Sequence, residues 1–258
     1  MDDFHINGFL GEESALIAME NYKNHYALFQ YCEELNRFAH EKLQNITING
    51  DSYEKSIDII SLYTKIINAF QAVVVLYNLG FDVEAQIICR TSLESCFFLS
   101  AIIKEDGFYE KFKKSEEKEI ESLLHSIMTN PEIYNDFDNA KIKETHDNLK
   151  IKNKCENNNR IHEKDVASSA GMKSEYYYAY KVFCKLVHPN IKNLRERYLQ
   201  FDEADNLIAF KSLPSTENIE QNLYLNCYIL LRTLDCLSEY FSLHIEDEIE
   251  TFDKKIQN

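Results

Sequence analysis

Glycine and proline are both scarce in this chain. Only six Gly and three Pro occur among its 258 residues. A β-rich protein of this length needs many tight turns, and tight turns depend on these two residue types. Their scarcity therefore argues against a sheet protein and favours long helices joined by few connections.

The motifs that bind nucleotides through glycine-rich loops are also missing. The chain contains neither GxGxxG nor GxxxxGKS, and it has no GxSxG elbow. The first two motifs place backbone N–H groups around phosphates, and the third exposes a nucleophilic serine. Nucleotide binding through those two loops is therefore excluded, and so is hydrolysis through that elbow.

Metal-binding patterns are absent from the sequence. The eight His residues are scattered, with no HExxH and no Cys/His cluster, so we predict no metal ion and no cofactor. The seven Cys include no CxxC pair. Several lie in apolar helical runs, and we expect reduced, buried thiols in an intracellular protein: Cys89, Cys96, Cys227 and Cys236.

The sequence has no recognisable signal for secretion and no obvious membrane-spanning run. No basic start followed by an apolar segment and a small-residue cleavage site is found. No run of about 18 uncharged apolar residues is found either. We therefore expect a cytoplasmic protein with no membrane span.

The charge balance is strongly acidic, with a formal net charge of −15. Such a surface repels polyanions, so broad nucleic-acid binding is disfavoured, although a local basic groove is compatible with it.

Residues 141–164 carry seven Lys or Arg and four Asp or Glu, a net charge of +3. Because periodicity is poor from 133 to 164, we predict a loop there with at most one irregular helix. The run is either a solvated loop or a surface for RNA approach.

Apolar residues recur at spacings of three and four along most of the chain, which predicts helices. We predict an all-α fold: a single domain over 1–258, built as a bundle of about six or seven helices around a buried helix at 82–104. Gly80 ends one helix and Asp82 caps the next, so 52–79 and 82–104 form an antiparallel hairpin. The core covers 52–244 and a charged tail covers 245–258. Further helices are expected at 12–45, 108–128, 173–199 and 215–244.

Two charges interrupt the central apolar helix, Arg90 and Glu94. Four residues apart, they share one helical face. On an apolar face they must pair, because an unpaired buried charge costs several kcal/mol. Two interpretations remain open. The pair fixes helix register, or it forms a polar pocket in which Arg90 binds an anion and Glu94 orients it.

The helix at 173–199 has an apolar seam and a break. The seam runs through Tyr176, Tyr180, Phe183, Val187, Ile191, Leu194 and Tyr198, and predicts packing against another helix. Pro189 disfavours helical geometry at His188, so the helix kinks or restarts there. His188 is either a histidine at the core edge bonded to a carbonyl, or a group that transfers protons near its ordinary pKa.

Two of these features together carry a family resemblance. One is the stretch 79–94, in which Leu-Gly-Phe is followed by RTSLE, and the other is the tyrosine-rich stretch 176–190, which ends in VHPN. The pair resembles a bacterial family of helical domains of unknown function, which in turn is similar to the HEPN superfamily. The signature of the HEPN superfamily is an Arg followed, after four to six residues, by a His. Here His188 matches the His, and Lys181 stands where the Arg is expected.

The resemblance implies a helical and usually dimeric protein, often a metal-independent ribonuclease of a toxin–antitoxin or phage-defence system. In that mechanism His188 transfers the proton at the ribose 2′-hydroxyl or the leaving oxygen. Arg90, with Lys181 or Lys185, stabilises charge on the phosphate. Glu94 holds Arg90 in place.

The same resemblance suggests substrate-binding residues and partners. Tyr177 or Tyr180 positions the phosphate or the base, and Lys185 and Asn190 complete the set. The expected partners are an RNA substrate, a protein partner or antitoxin, and a second copy of the chain. The alternative is a non-catalytic helical module that binds a protein partner or a small anionic ligand, which the acidic surface favours.

Overall fold

The structure is a computed structural model that describes residues 3–48, 52–130, 132, 138–187, 190–211, 213–216 and 218–257. Helices form 80% of these residues, which confirms the all-α prediction, but they outnumber the predicted six or seven. In chain order the helices are α1 (Asp3–Asn7), α2 (Glu13–Asn24), α3 (Tyr26–Asn45), α4 (Tyr53–Asn78), α5 (Asp82–Lys104), α6 (Phe108–Thr129), α7 (Asn139–Glu156), α8 (Glu163–Ser169), α9 (Lys173–Glu175), α10 (Lys181–Val187), α11 (Ile191–Tyr198), α12 (Ile219–Phe241) and α13 (Glu246–Gln257).

The α4–α5 hairpin forms as predicted. Gly80 adopts a left-handed φ of 82° after α4. The Phe81 N–H donates to the Leu76 carbonyl at 2.9 Å and the Gly80 N–H to the Tyr77 carbonyl at 3.0 Å, a Schellman ending. The predicted cap is wrong, because Asp82 is the first residue of α5 and its carboxylate accepts a hydrogen bond from Gln86 at 2.6 Å.

The core is built on α4, α5 and α12. Apolar residues at spacings of three and four form a stripe along α4 that is between 0% and 1% exposed at every position: Ile59, Tyr63, Ile66, Phe70, Val73 and Tyr77. Helix α12 packs on both α4 and α5 through polar as well as apolar contacts. The Asn226 amide donates to the Phe70 carbonyl of α4 at 3.2 Å. The Ser100 hydroxyl of α5 lies 3.3 Å from the Cys236 sulfur.

The predicted helix at 12–45 is divided into α2 and α3. His25 separates them with φ −117° and ψ 32°, and its ring nitrogen lies 3.1 Å from a Glu220 carboxylate oxygen of α12. Two of the apolar residues whose spacing predicted this helix, Leu16 and Met19, are exposed on α2. The single-helix prediction is wrong because the chain breaks at His25, a position that apolar periodicity does not mark and that contacts Glu220 of α12.

The loop predicted within 133–164 is wrong over α7, which is a regular helix of 18 residues. The Asp138 side chain caps α7 by accepting the Ala140 and Lys141 N–H groups, both at 3.1 Å. The helix docks on α6 through polar contacts, including an ion pair of 2.5 Å between Lys152 and Glu117. Because α7 docks through polar side chains, its sequence has no apolar stripe from which the helix could be predicted. The same contacts neutralise part of the basic charge of residues 141–164.

The segment from α9 to α10 is one continuous helix with a π turn at Tyr176–Tyr180. Helix α10 ends at Val187 and α11 begins at Ile191, consistent with the predicted interruption. His188 and Pro189 lie outside the described residues. Asn190 caps α11, with its side-chain oxygen accepting the Lys192 and Asn193 N–H groups at 3.0 and 3.3 Å.

Only the first half of the predicted seam is buried. Tyr180 and Phe183 are 4% and 5% exposed and pack on the core. The later members, Val187, Ile191, Leu194 and Tyr198, are 40% to 73% exposed. The prediction that the whole seam packs within the chain is therefore wrong beyond Phe183.

A short β-hairpin follows α11, where the sequence predicted only a connection. Its strands are β1 (Leu199–Phe201) and β2 (Leu207–Phe210), paired antiparallel. Leu199 faces Phe210 and Phe201 faces Leu207, so Ile208 is the extra residue of a bulge. Most side chains of the hairpin are exposed.

By length and composition, α4 and α5 are apolar enough to cross a membrane. Buried core helices pass the same test, so this is weak evidence, and the absence of a membrane span stays a prediction.

Candidate functional site

Arg90 is the centre of a polar network between α5 and α10. Its Nη1 donates to Glu94 Oε2 at 3.0 Å, its Nη2 to the Tyr180 hydroxyl at 2.6 Å, and its Nε to the Cys184 sulfur at 3.2 Å. The predicted ion pair with Glu94 is confirmed. The Arg90 and Glu94 side chains are 19% and 28% exposed, so the pair lies at the edge of the core and keeps contact with water.

Aromatic contacts fix Tyr180 over the arginine. The Arg90 Cζ lies 4.5 Å from the Tyr180 ring centroid, within cation–π range. The Tyr180 ring also stacks on Tyr176 at 5.4 Å and tilts against Phe97 at 5.9 Å. Burial raises the pKa of Tyr180 well above its ordinary value, and the nearby Glu94 carboxylate raises it further. The hydroxyl is therefore protonated at neutral pH.

The charge of Arg90 is stabilised by its partners. Burial disfavours the cation, but the hydrogen bond to Cys184 and the charge of Glu94 outweigh it, and the pKa of Arg90 is raised. The guanidinium donates one hydrogen bond from each of its three nitrogens to these partners. Arg90 thus ties α5 to α10, and its paired carboxylate offsets much of its attraction for an anion.

The π turn decides which tyrosines face this network. The Lys181 N–H donates to the Tyr176 carbonyl, the i to i−5 bond of a π turn. The turn places Tyr180 inward, while Tyr177 and Tyr178 are 43% and 83% exposed. Single π turns occur frequently at functional sites.

Two predicted site residues lie on the outer side of this turn. Lys181 is exposed, with its Nζ 5.8 Å from the ring centroids of both Tyr176 and Tyr177. Arg90 contacts neither Lys181 nor Tyr177 in the described network. The structure therefore brings Arg90, Glu94 and Tyr180 together and leaves Lys181 and Tyr177 facing solvent.

Two further predicted site residues, Lys185 and Asn190, lie at a neighbouring cleft of about 100 Å³ between α10, α11 and the start of α5, whereas His188 lies outside the described residues. The Asn193 amide donates to the Lys185 carbonyl at 2.9 Å and closes one wall. Arg197 lies 3.5 Å from the Asp82 carboxylate at the other. The cleft is lined by Val83, Lys185, Leu186, Val187, Asn190, Asn193, Leu194, Arg197 and Tyr198. Cys184 of the Arg90 network and Lys185 of the cleft are adjacent in the chain.

Sequence reasoning missed three contributors to this region. Cys184 follows Tyr180 by four residues, so helical spacing alone could have placed both beside Arg90. Asn193 and Arg197 share the same spacing on α11. Between 181 and 198 there are five basic residues and one acidic residue, a net charge of +4, which exceeds that of the run at 141–164.

The described residues contain no group of three or more His, Cys, Asp or Glu side chains that could hold a metal ion. The four cysteines predicted to be buried are buried. Burial raises the pKa of Cys89 to about 12 and that of Cys96 to about 11, so both thiols are protonated and poorly nucleophilic.

Comparison with protein families matches residues 57–207 to a family of unknown function, DUF5677. The chain belongs to the DUF5677 family. The match runs from the second turn of α4 into β2 and contains Arg90, Glu94 and all of α9 to α11, whereas α12 lies beyond it. Searches of curated proteins and of solved structures found no match. An uncharacterised helical family was expected, and the HEPN likeness remains a hypothesis.

Proposed function

We propose that this protein binds RNA through phosphate contacts on the face formed by α10 and α11. The observation that carries the proposal is the local charge. Residues 181–198 have a net charge of +4 in a chain of −15. Lys185 and Arg197 line one cleft with the amides Asn190 and Asn193.

The cleft suits a phosphate group. Lys185 supplies a compact charge and the asparagine amides supply directed N–H donors to phosphate oxygens, whereas Arg197 is paired with Asp82 at 3.5 Å and offers only the N–H groups that this pair leaves. At about 100 Å³ the cleft is below the roughly 300–1,000 Å³ of drug-sized pockets, so one phosphate enters while its nucleotide lies outside. The exposed Tyr177, Tyr178 and Tyr198 rings offer surfaces on which bases stack.

In this proposal Arg90 is a positioning residue. Its three nitrogens already donate to Glu94, Tyr180 and Cys184. It holds α10, and with it Lys185, against α5. The sequence expectation that Arg90 clamps the phosphate directly is thereby replaced by an indirect role.

The catalytic form of the proposal is metal-independent RNA cleavage, as the HEPN likeness implies. His188 would transfer the proton, and Lys181 or Lys185 would stabilise the phosphate charge. The role of His188 rests on the VHPN motif, because the residue lies outside the described structure. The non-catalytic form is a helical module that binds the same anion without cleaving it.

Binding is tested by fluorescence anisotropy with a short single-stranded RNA. Lys185→Glu is expected to weaken binding about tenfold and to lower the salt slope by about one. The matched control is Lys150→Glu, the same charge change on an exposed residue of α7. Equal losses in both variants, or no RNA binding by the wild-type protein, would contradict the proposal.

Cleavage is tested separately with labelled RNA in EDTA. His188→Ala is expected to abolish cleavage and to retain binding. Cleavage by the His188→Ala protein at the wild-type rate would eliminate its catalytic role. Binding without cleavage by the wild-type protein would identify the non-catalytic form.

A further inference from the structure

Exposed apolar side chains lie on α11 and on both strands of the β-hairpin. We call α11, β1 and β2 together the hairpin arm. Ile191 and Phe210 are 73% and 74% exposed. Phe201, Leu207 and Ile208 are exposed beside them. Single exposed apolar residues are ordinary, but a contiguous set marks an interaction surface.

The arm also has unpaired strand edges. Its sheet has only two strands, β1 and β2. Each strand pairs on one side only within the described structure, so its outer edge presents free N–H and C=O groups. Exposed apolar edges of this kind pair readily with another strand.

Charge divides the arm into two ends of opposite sign. The tip, between the strands, carries Asp202, Glu203 and Asp205. The base carries Lys192, Arg195 and Lys211 around a single acid, Glu196. The Lys211 ammonium donates to the Glu196 carbonyl at 3.1 Å, which holds the end of the hairpin against α11.

We propose that the hairpin arm is the interface with a second copy of this chain. A two-fold axis between the two arms makes their strands antiparallel, so the tip of each copy lies on the base of the other. Both charged ends are then neutralised, and the exposed apolar side chains of the two arms form one continuous face. RNA or an anionic membrane fits less well, because either would meet three carboxylates at the tip.

This interface is separate from the phosphate cleft. Asn193, Leu194 and Arg197 line the cleft, whereas Lys192 and Arg195 do not. Successive residues of a helix point about 100° apart, so Lys192 and Arg195 lie on a different side of α11 from Asn193 and Arg197. A change confined to the acidic tip therefore tests dimerisation without removing a basic residue of the RNA-binding face, and Lys185→Glu tests RNA binding without changing the arm.

The test is charge exchange between copies, measured by sedimentation velocity. The tip variant is Glu203→Lys with Ala204→Lys and Asp205→Asn; asparagine tolerates the left-handed φ of 64° at position 205. The base variant is Lys192→Glu with Arg195→Glu. The control is Lys143→Glu with Lys150→Glu, the same charge change on exposed residues of α7.

The wild-type protein and the control are expected to be dimers, and each interface variant alone to dissociate at least tenfold more readily. An equimolar mixture of tip and base variants is expected to dimerise again, because both contacts of the mixed dimer then join opposite charges. A wild-type monomer at about 100 µM, far above a specific interface's Kd, would overturn the proposal. So would unchanged dimers in both variants, or a mixture that stays monomeric.

Discussion

Helix α4 and the segment from α10 to the hairpin arm carry similar apolar stripes at helical spacing, yet the chain buries only the first completely. All six stripe residues of α4 are between 0% and 1% exposed. On the other segment burial stops at Phe183, and four later seam residues are 40% to 73% exposed. Apolar residues at helical spacing therefore indicate a helix face that packs against another surface. They do not indicate that this surface belongs to the same chain.

The largest expected effect comes from the buried stripe. Phe70→Ala is expected to lower the free energy of unfolding by about 3–5 kcal/mol, because it leaves a cavity in a close-packed core. Ile191→Ala on the exposed stripe is expected to change it by less than about 0.5 kcal/mol. Urea unfolding of both variants, at a concentration where the protein is monomeric, measures the difference. Similar losses at the two positions would remove the contrast.

The next largest effect is expected at Gly80, and comparison with Gly171 separates the stability cost of backbone strain from that of steric crowding. A Cβ at Gly80 would lie 2.5 Å from the Pro214 Cβ, whereas a Cβ at Gly171 would meet nothing within 4 Å. Both glycines have left-handed φ angles, 82° and 73°. Gly171→Ala is therefore expected to cost about 1 kcal/mol from strain alone, and Gly80→Ala about 2–3 kcal/mol. Thermal unfolding compares them, and equal shifts would show that the Pro214 contact yields easily.

A smaller loss of stability is expected for the Arg90–Glu94 pair, which lies at the edge of the core beside α10. The i, i+4 spacing alone suggests a loss of about 3–5 kcal/mol for Glu94→Ala, the cost of stranding a buried charge. The structure lowers this expectation to about 1–2 kcal/mol, because water reaches the pair and Tyr180 and Cys184 still accept from Arg90. Glu94→Gln, which retains an acceptor, should lose less. Chemical denaturation that gives 4 kcal/mol or more, the full buried-charge cost, would indicate a drier site.

The smallest effect is expected where α7 docks on α6. The side chains of Lys152 and Glu117 are 48% and 27% exposed. Lys152→Ala should therefore change the unfolding midpoint only slightly, and high salt should remove the difference. Unfolding at low and high ionic strength tests this. A large loss that persists in salt would show that α7 belongs energetically to the core.

Sequence reasoning predicted the elements whose stability comes from local spacing and burial. The α4 stripe, the Gly80 ending and the Arg90–Glu94 pair all follow from residues within one or two helical turns. The boundaries of α2 and α7 could not be predicted in this way, because the His25–Glu220 and Lys152–Glu117 contacts join residues distant in sequence.

The candidate site was predicted only in part, for the same reason. Arg90, Glu94 and Tyr180 are together, and helical spacing indicated the first two. The π turn that directs Tyr180 inward has no recognisable signal in single-residue propensities. The cleft near Lys185 depends on where α11 restarts after Val187, which the sequence located only to within a few residues.

The position of α12 has a consequence for how much of the chain can stand alone. The family match ends at residue 207 and α12 begins at Ile219, yet α12 seals the faces of α4 and α5 that carry Phe70 and Ser100. A fragment cut to the family match would expose to water the side of α5 that α12 covers, which includes the buried Cys96 and Ser100. Such a fragment is expected to aggregate. A relative of that length would stay soluble only if another helix, from its own chain or from a partner chain, covered the same side of α4 and α5.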